Sequence, residues 1–271
     1  MSADITFRHS LEKKVADVVF ARGLLSAGER VIVALSGGAD SVALLCALHA
    51  LQFKCLAAHC NFHLRGDESM RDERYARDIA ARLGCDFHKI DFDVDEYRRL
   101  SPGTPSLEMA CRDLRYRWFD NLRAETGIRR IAVAHNADDN AETLLLNLLR
   151  GSSLTGLRGM RALNSRGIIR PLLEVSRMEI EDYLRTIGVD FVTDSSNLSD
   201  DFTRNRIRHH VIPALQYAAG EGKNALNAIT SSLSLLSENH DFYRHAVEEK
   251  RAHYTLPHGG IDLNKLIASE P

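Results

Sequence analysis

With 271 residues, 44% of them hydrophobic and 27% charged, the chain can build one large domain or two modest ones, and its 17 Gly and 6 Pro are too few for a collagen-like or low-complexity protein. No apolar run reaches the roughly 18 residues of a membrane-spanning helix, and residues 1–10 lack the apolar core of a signal peptide, so a cytoplasmic protein with no membrane partner is expected. The net charge of −2 argues, as an average, against a strongly anionic partner, yet 28 of the 35 basic residues are Arg, the side chain suited to forked contacts with phosphate or carboxylate. Cys46, Cys55, Cys60, Cys85 and Cys111 form no C-x-x-C pair, which excludes a disulfide framework and a zinc ribbon and leaves packed, reduced thiols.

In chain order, an amphipathic helix over about residues 10–22 precedes an apolar run at 31–35 that ends in Ser36-Gly-Gly38. A short apolar run bounded by glycines and followed by a helical pattern marks a buried parallel strand feeding a helix. The alternation then repeats: a strand at 54–60, a helix at 68–83 closed by Gly84, a strand at 86–92, and a loop at Pro102-Gly-Thr-Pro105. A helix capped by Ser106 runs to about Thr126, a strand covers 130–134, and a helix covers about 138–150. Further on come a strand over 168–173, a helix over 176–187 stopped by Gly188, and a basic helix over 202–219. Beyond Gly220-Glu-Gly-Lys223 a purely helical segment runs from about 224 to 254, and from His258 a new apolar pattern begins and breaks off at Pro271.

Strands separated by helices of these lengths predict an α/β fold, a doubly wound parallel sheet, followed by a smaller all-helical segment. The expected division is 1–216 for the α/β domain and 217–271 for the helical part. Such sheets bind ligands at the carboxyl ends of their strands, which places the chemistry in the loops after residues 35, 60 and 134. The sharpest signal lies there. In Ser36-Gly37-Gly38-Ala39-Asp40-Ser41 two glycines permit a tight turn and close backbone approach, and the following helix N-terminus aims N–H groups at an anion. The segment predicts a phosphate-binding loop that is neither the Walker form nor the dinucleotide fingerprint.

Ser-Gly-Gly-x-Asp-Ser after a first strand resembles the pyrophosphate loop of the ATP-pyrophosphatase superfamily. The segments Ala58-His-Cys-Asn-Phe-His-Leu-Arg-Gly-Asp-Glu-Ser69, Cys111-Arg-Asp-Leu-Arg-Tyr116, His135-Asn-Ala-Asp-Asp-Asn-Ala-Glu-Thr143, Arg170-Pro-Leu-Leu173, Asp194-Ser-Ser-Asn197 and Arg204-Asn-Arg-Ile-Arg208 follow in the order and spacing of the tRNA(Ile)-lysidine synthetases. The likeness covers about residues 28–215. It departs at position 62, where Phe62 interrupts the family's His-x-Asn-His and His63 stands one place later.

The resemblance implies an enzyme that adenylates the wobble cytidine in the CAU anticodon of an isoleucine tRNA and then joins free lysine to its C2, giving lysidine, with ATP and Mg²⁺ as cofactors. By that resemblance Ser36, Gly37, Gly38, Ala39, Asp40 and Ser41 cradle ATP, with Asp40 as the magnesium ligand. Arg112 and Arg115, three apart on one helix, supply positive charge for the leaving group. Asp139 and Glu142, also three apart at a helix start, suit the ammonium of lysine, with Arg206 for its carboxylate. Arg65, Arg204 and Arg208 are the expected tRNA contacts, and Asp40, Arg112 and Asp139 the catalytic set. Neither His59 nor His135 is expected to act as general base; Asp139 fits that role better. Homodimerisation is left open.

Three other readings share these features. A tRNA thiolase would use the same loop but calls for reactive cysteine pairs, and GMP or NAD synthetase relatives need an ammonia source and lack Arg-Asn-Arg. A non-catalytic nucleotide- or RNA-binding module would not need Asp40, Arg112 and Asp139 together.

Overall fold

The structure, a computed structural model, describes residues 9–192 and 203–269. Two compact units are distinguished: Met1–Asn140 with Met160–Ser199, and Ala141–Gly159 with Asp200–Pro271. The segment 141–159 groups with the helical part.

The first unit is a five-stranded parallel sheet in the order β3-β2-β1-β4-β5, formed by β1 (Arg30–Ala34), β2 (Lys54–Asn61), β3 (Asp86–Asp91), β4 (Ile131–Ala132) and β5 (Ile168–Ile169). Its helices are α1 (Ser10–Ala21), α2 (Ala39–Ala50), α3 (Asp67–Arg82), α4 (Val94–Leu100), α5 (Leu107–Thr126) and α8 (Arg177–Ile187), and it receives the first turn of α6 (Ala137–Leu149). The doubly wound expectation holds.

Strand periodicity explains the two cores. In β1, Val31 and Val33 face the side packed by α1, α2, α3 and α8, while Ile32 faces Tyr116, Phe119 and Leu122 of α5. All three β1 side chains are fully buried, each contributing about 1.5–3 kcal/mol over an exposed position. Helix α2 is buried almost all round, so its sequence, Ala-Asp-Ser-Val-Ala-Leu-Leu-Cys-Ala-Leu, lacks a polar stripe.

Ser106 and Gly188 act where they were expected: Ser106 Oγ accepts the Met109 N–H, and Gly188 ends α8 in the left-handed conformation. Ser176 and Glu179 add a reciprocal capping box, and Gly127 ends α5 in the same left-handed conformation. Three details differ from expectation. Strands β4 and β5 have two residues each, since Arg170 N–H turns to Ala162 O and Pro171 has no N–H to continue a ladder. Helix α4 was not anticipated; Asp93 caps it by accepting the Glu96 N–H. The expected 202–219 helix is divided into Thr203–Arg206 (α9), a π-helical turn Ile207–Val211, and Ile212–Ala219 (α10). Pro213 cannot donate the usual bond four residues back, and Ile212 N–H reaches Ile207 O instead.

The second unit also holds α7 (Leu154–Leu157), α11 (Ala225–Tyr254) and α12 (Leu263–Ser269). Gln216 braces the turn between α10 and α11, donating to Lys223 O and accepting from Ala225 N–H. His240 of α11 is buried and receives a 2.9 Å bond from Arg158 just after α7. Among the described residues, no helix is long and apolar enough to cross a membrane.

Candidate functional site

In the sheet order β3-β2-β1-β4-β5 the winding reverses between β1 and β4, and the crevice at such a switch point is where doubly wound sheets take ligands. The loop from Ser36 to Ser41 leaves β1 at this point. Gly37 has φ +96°, a backbone conformation that favours glycine, and a Cβ there would stand 3.2 Å from Asp72 O, tighter than an ordinary contact. Ser41 Oγ ties the loop together: it accepts the N–H groups of Ser36 (3.1 Å) and Gly37 (3.2 Å) and donates to Gly38 O (2.9 Å). A strand-like bridge from Val192 N–H to Gly37 O (3.1 Å) holds the outer side. Gly38 caps α2, whose first-turn N–H groups have no partner within the helix and whose dipole favours an anion.

Asp40, in that first turn, is the centre of a polar cluster. Its Oδ1 accepts from Asn136 Nδ2 (3.1 Å) and its Oδ2 from Arg177 Nη1 (2.7 Å). Burial pushes its carboxyl up to about 6; Arg177 works against that rise, and the Asp139 charge adds to it. Asn136 is itself fixed, because its Oδ1 accepts the Asp139 N–H (2.9 Å) while Asp139 Oδ2 accepts the Asn136 N–H (3.1 Å), a capping box at the start of α6. Asp138 accepts the backbone N–H of Arg177 at 2.8 Å, joining α6 to the N-terminus of α8. Asn136 and Arg177 were not singled out from the sequence. Asn136 lay inside a quoted motif beside three acidic neighbours, whereas Arg177 carried no local signal.

The donor set suits a hard divalent ion that arrives with a nucleotide. Asp40, with Asp139 nearby, offers the kind of carboxylate that could hold such an ion. Among the described residues, no three His, Cys, Asp or Glu side chains form a complete cage.

The arginines of α5 lie on aromatic rings: Arg112 is 5.0 Å from the Tyr116 ring centroid and Arg115 5.4 Å from that of Phe62. Position 62, where the chain departs from the family pattern, thus supports a guanidinium. Arg170, also missed, is buried and donates to Arg161 O (2.8 Å) and His135 Nδ1 (3.2 Å), orienting that histidine at the end of β4. Arg65 is paired with Asp72 of α3 at 2.8 Å. His59 Nδ1–H donates to Leu35 O at 2.8 Å, and burial holds its pKa below the usual histidine range, so the ring is a neutral brace between two strand ends.

Within the second unit, Glu142 is fully buried and accepts from Arg204 Nε (2.7 Å), Arg208 Nε (2.6 Å) and Arg208 Nη2 (3.1 Å). Residues four apart share a helix face, which is why Arg204 and Arg208 meet this carboxylate together. Arg206, in the same segment, donates to Thr203 Oγ1 at 2.9 Å. Asp194-Ser-Ser-Asn197 lies outside the described residues.

The profile of the PP-loop domain family matches residues 6–215. Among curated proteins, the chain is 43% identical to the tRNA(Ile)-lysidine synthase of Bacteroides thetaiotaomicron over 95% of its own length and 59% of the relative's. It is 46% identical to that of Porphyromonas gingivalis (89% and 52%) and 38% identical to that of Chlorobaculum tepidum (93% and 75%). The chain therefore spans little more than half the length of the first two relatives. Two solved structures share the fold at low identity: a U34-tRNA thiolase from Methanococcus maripaludis (TM-score 0.68, 18% identity, 84% of this chain and 79% of that one) and an NMN synthetase from Francisella tularensis (0.54, 13%, 84% and 92%). The chain belongs to the PP-loop domain family and, within it, to the tRNA(Ile)-lysidine synthases.

Proposed function

We propose that this protein uses ATP to join free L-lysine to C2 of the wobble cytidine in the CAU anticodon of isoleucine tRNA, forming lysidine, AMP and pyrophosphate. The observation that carries this reading is the Ser36–Ser41 loop at the switch point with the Asp40, Asn136 and Asp139 cluster against it, in a chain whose relatives bear that name.

In the first step the cytidine C2 oxygen attacks the α-phosphorus, the bond between the α-phosphorus and its bridging oxygen breaks, and pyrophosphate leaves. Ser36, Gly37, Gly38, Ala39, Asp40 and Ser41 form the cradle for that leaving group, its N–H groups and the α2 dipole opposing the anionic charge. Asp40, with Asp139 beside it, is our assignment for the residue holding a magnesium ion, which when bound would neutralise phosphate charge. Arg112 and Arg115, steadied by Tyr116 and Phe62, are our candidates for ATP contacts that set positive charge against the anionic leaving group.

In the second step the lysine ε-nitrogen bonds to C2, the C2–O bond breaks, and AMP departs. Asp139 is our assignment for orienting the amine and accepting its proton. In the second unit, Glu142 orders Arg204 and Arg208, whose outer edges are half exposed and suit RNA phosphates, as does Arg65 in the first unit. Arg206 remains our candidate for the lysine carboxylate, and Glu142 for lysine recognition.

The test supplies ATP, Mg²⁺, labelled lysine and the CAU-bearing isoleucine tRNA. Labelled lysine is expected in the tRNA with stoichiometric AMP, and Asp139→Asn is expected to abolish lysine incorporation while ATP binding persists. Absence of incorporation by the unaltered chain, or loss of ATP binding with lysine affinity intact in the variant, overturns the reading.

A further inference from the structure

The cradle needs a cation that the chain around it does not provide. From Val31 to Phe53 there is no Lys or Arg, so the Ser36–Ser41 loop contains no counterpart of the lysine that phosphate loops often carry. Arg112 and Arg115 rest on Tyr116 and Phe62. A guanidinium is brought against the loop from 137 positions along the chain: Arg177 Nη1 donates to Asp40 Oδ2 at 2.7 Å.

How Arg177 is held gives this contact its meaning. The residue opens α8 within the Ser176–Glu179 capping box, its own N–H fixed by Asp138 Oδ2 at 2.8 Å. Its Nε donates to Glu181 Oε1 at 2.8 Å, so the plane of the guanidinium is set from below, while the side chain is 39% exposed. A planar fork anchored through Nε presents its two terminal nitrogens to an oxyanion without rearranging its stem. Its present acceptor, Asp40, lies in the first turn of α2, where the loop directs phosphate.

We infer that Arg177 is the pyrophosphate-binding cation of the loop: paired with Asp40, it turns about its Nε anchor onto the β- and γ-phosphoryl oxygens when magnesium nucleotide occupies the cradle. Asp40 is thereby freed for the metal, and the guanidinium opposes the charge that grows on departing pyrophosphate. This rests on the reading that the loop takes the pyrophosphate end of ATP.

Calorimetric titration with magnesium pyrophosphate, magnesium ATP and AMP tests it on the free protein, without tRNA or lysine. Arg177→Met is expected to weaken pyrophosphate and ATP about tenfold or more and leave AMP unchanged, with Arg177→Lys in between because it keeps the charge and loses the fork. Equal pyrophosphate affinity in Arg177→Met and the unaltered protein overturns the inference, as does a parallel loss of AMP and pyrophosphate, which marks a merely structural role. Should the Met variant not fold, Arg177→Lys carries the test, and unchanged pyrophosphate affinity there refutes it equally. If the unaltered protein binds neither pyrophosphate nor ATP, the parent reading of the loop fails instead.

Discussion

Replacing Glu142 by Gln gives a quantitative test of the second unit. The carboxylate is fully buried and receives three charge-assisted bonds of 2.6–3.1 Å from Arg204 and Arg208, each of which is 37% exposed. Breaking a buried ion pair from one side costs about 3–5 kcal/mol when the remaining charge stays buried. Here both guanidiniums can rehydrate, and the Gln carbonyl still accepts one bond, so the expected loss is smaller, about 2–3 kcal/mol. At about 2–4 °C per kcal/mol for a chain of this size, the unfolding midpoint of this unit should fall by about 5–10 °C. Hydrogen exchange monitored by mass spectrometry localises the effect: peptides across Thr203–Val211 should lose protection, while those of β1 and α2 retain theirs. If Glu142→Gln lies within about 0.5 kcal/mol of the unaltered protein, the range of an ordinary surface substitution, Glu142 does not organise the Arg204–Arg208 segment.

Two further outcomes follow from the first unit. Gly37→Ala must adopt φ +96° and press a methyl to 3.2 Å from Asp72 O, costing about 1–2 kcal/mol and disabling the cradle; ATP affinity equal to that of the parent would refute the steric account. Burial alone would raise Glu73, but bonds from Asn61, Lys89 and Arg77 outweigh it and hold its carboxyl at about 2, below the 4.5 of a free glutamate. Between those values the unfolded chain binds more protons, so Glu73 stabilises the fold above about pH 4.5 and that contribution drains away as pH falls toward 2. Its exposed partners limit the effect to about 1–2 kcal/mol. Glu73→Gln should flatten acid unfolding between pH 5 and 2, and an unchanged acid limb in urea titrations would count against the network.

The readable parts of this protein were those with local causes. The alternation of apolar runs and helical stretches set the α/β class, and Ser106 and Gly188 marked helix ends because a cap forms within one turn of its own helix. The pyrophosphate loop was legible for the same reason: the positive φ at Gly37 and the Ser41 brace are made within six consecutive residues. The lengths of β4 and β5 were not, since a strand ends where its neighbour stops offering partners, and Arg170 found Ala162 instead.

What surrounds Asp40 was decided by the tertiary structure. Asn136 stands 96 positions from it and Arg177 stands 137, and both reach it because the winding reversal sets the ends of β1 and β4 side by side and the capped start of α8 returns over them. The sequence by itself determined that an anion-binding loop follows the first strand, that acidic residues open α6, and that Arg outnumbers Lys fourfold. Which arginine meets which carboxylate depended on chain path and helix phase: Arg177 on Asp40, Arg65 on Asp72, and Arg204 with Arg208 on Glu142. A charge has no preferred partner until folding brings one within a few ångströms and excludes the water that would otherwise screen it.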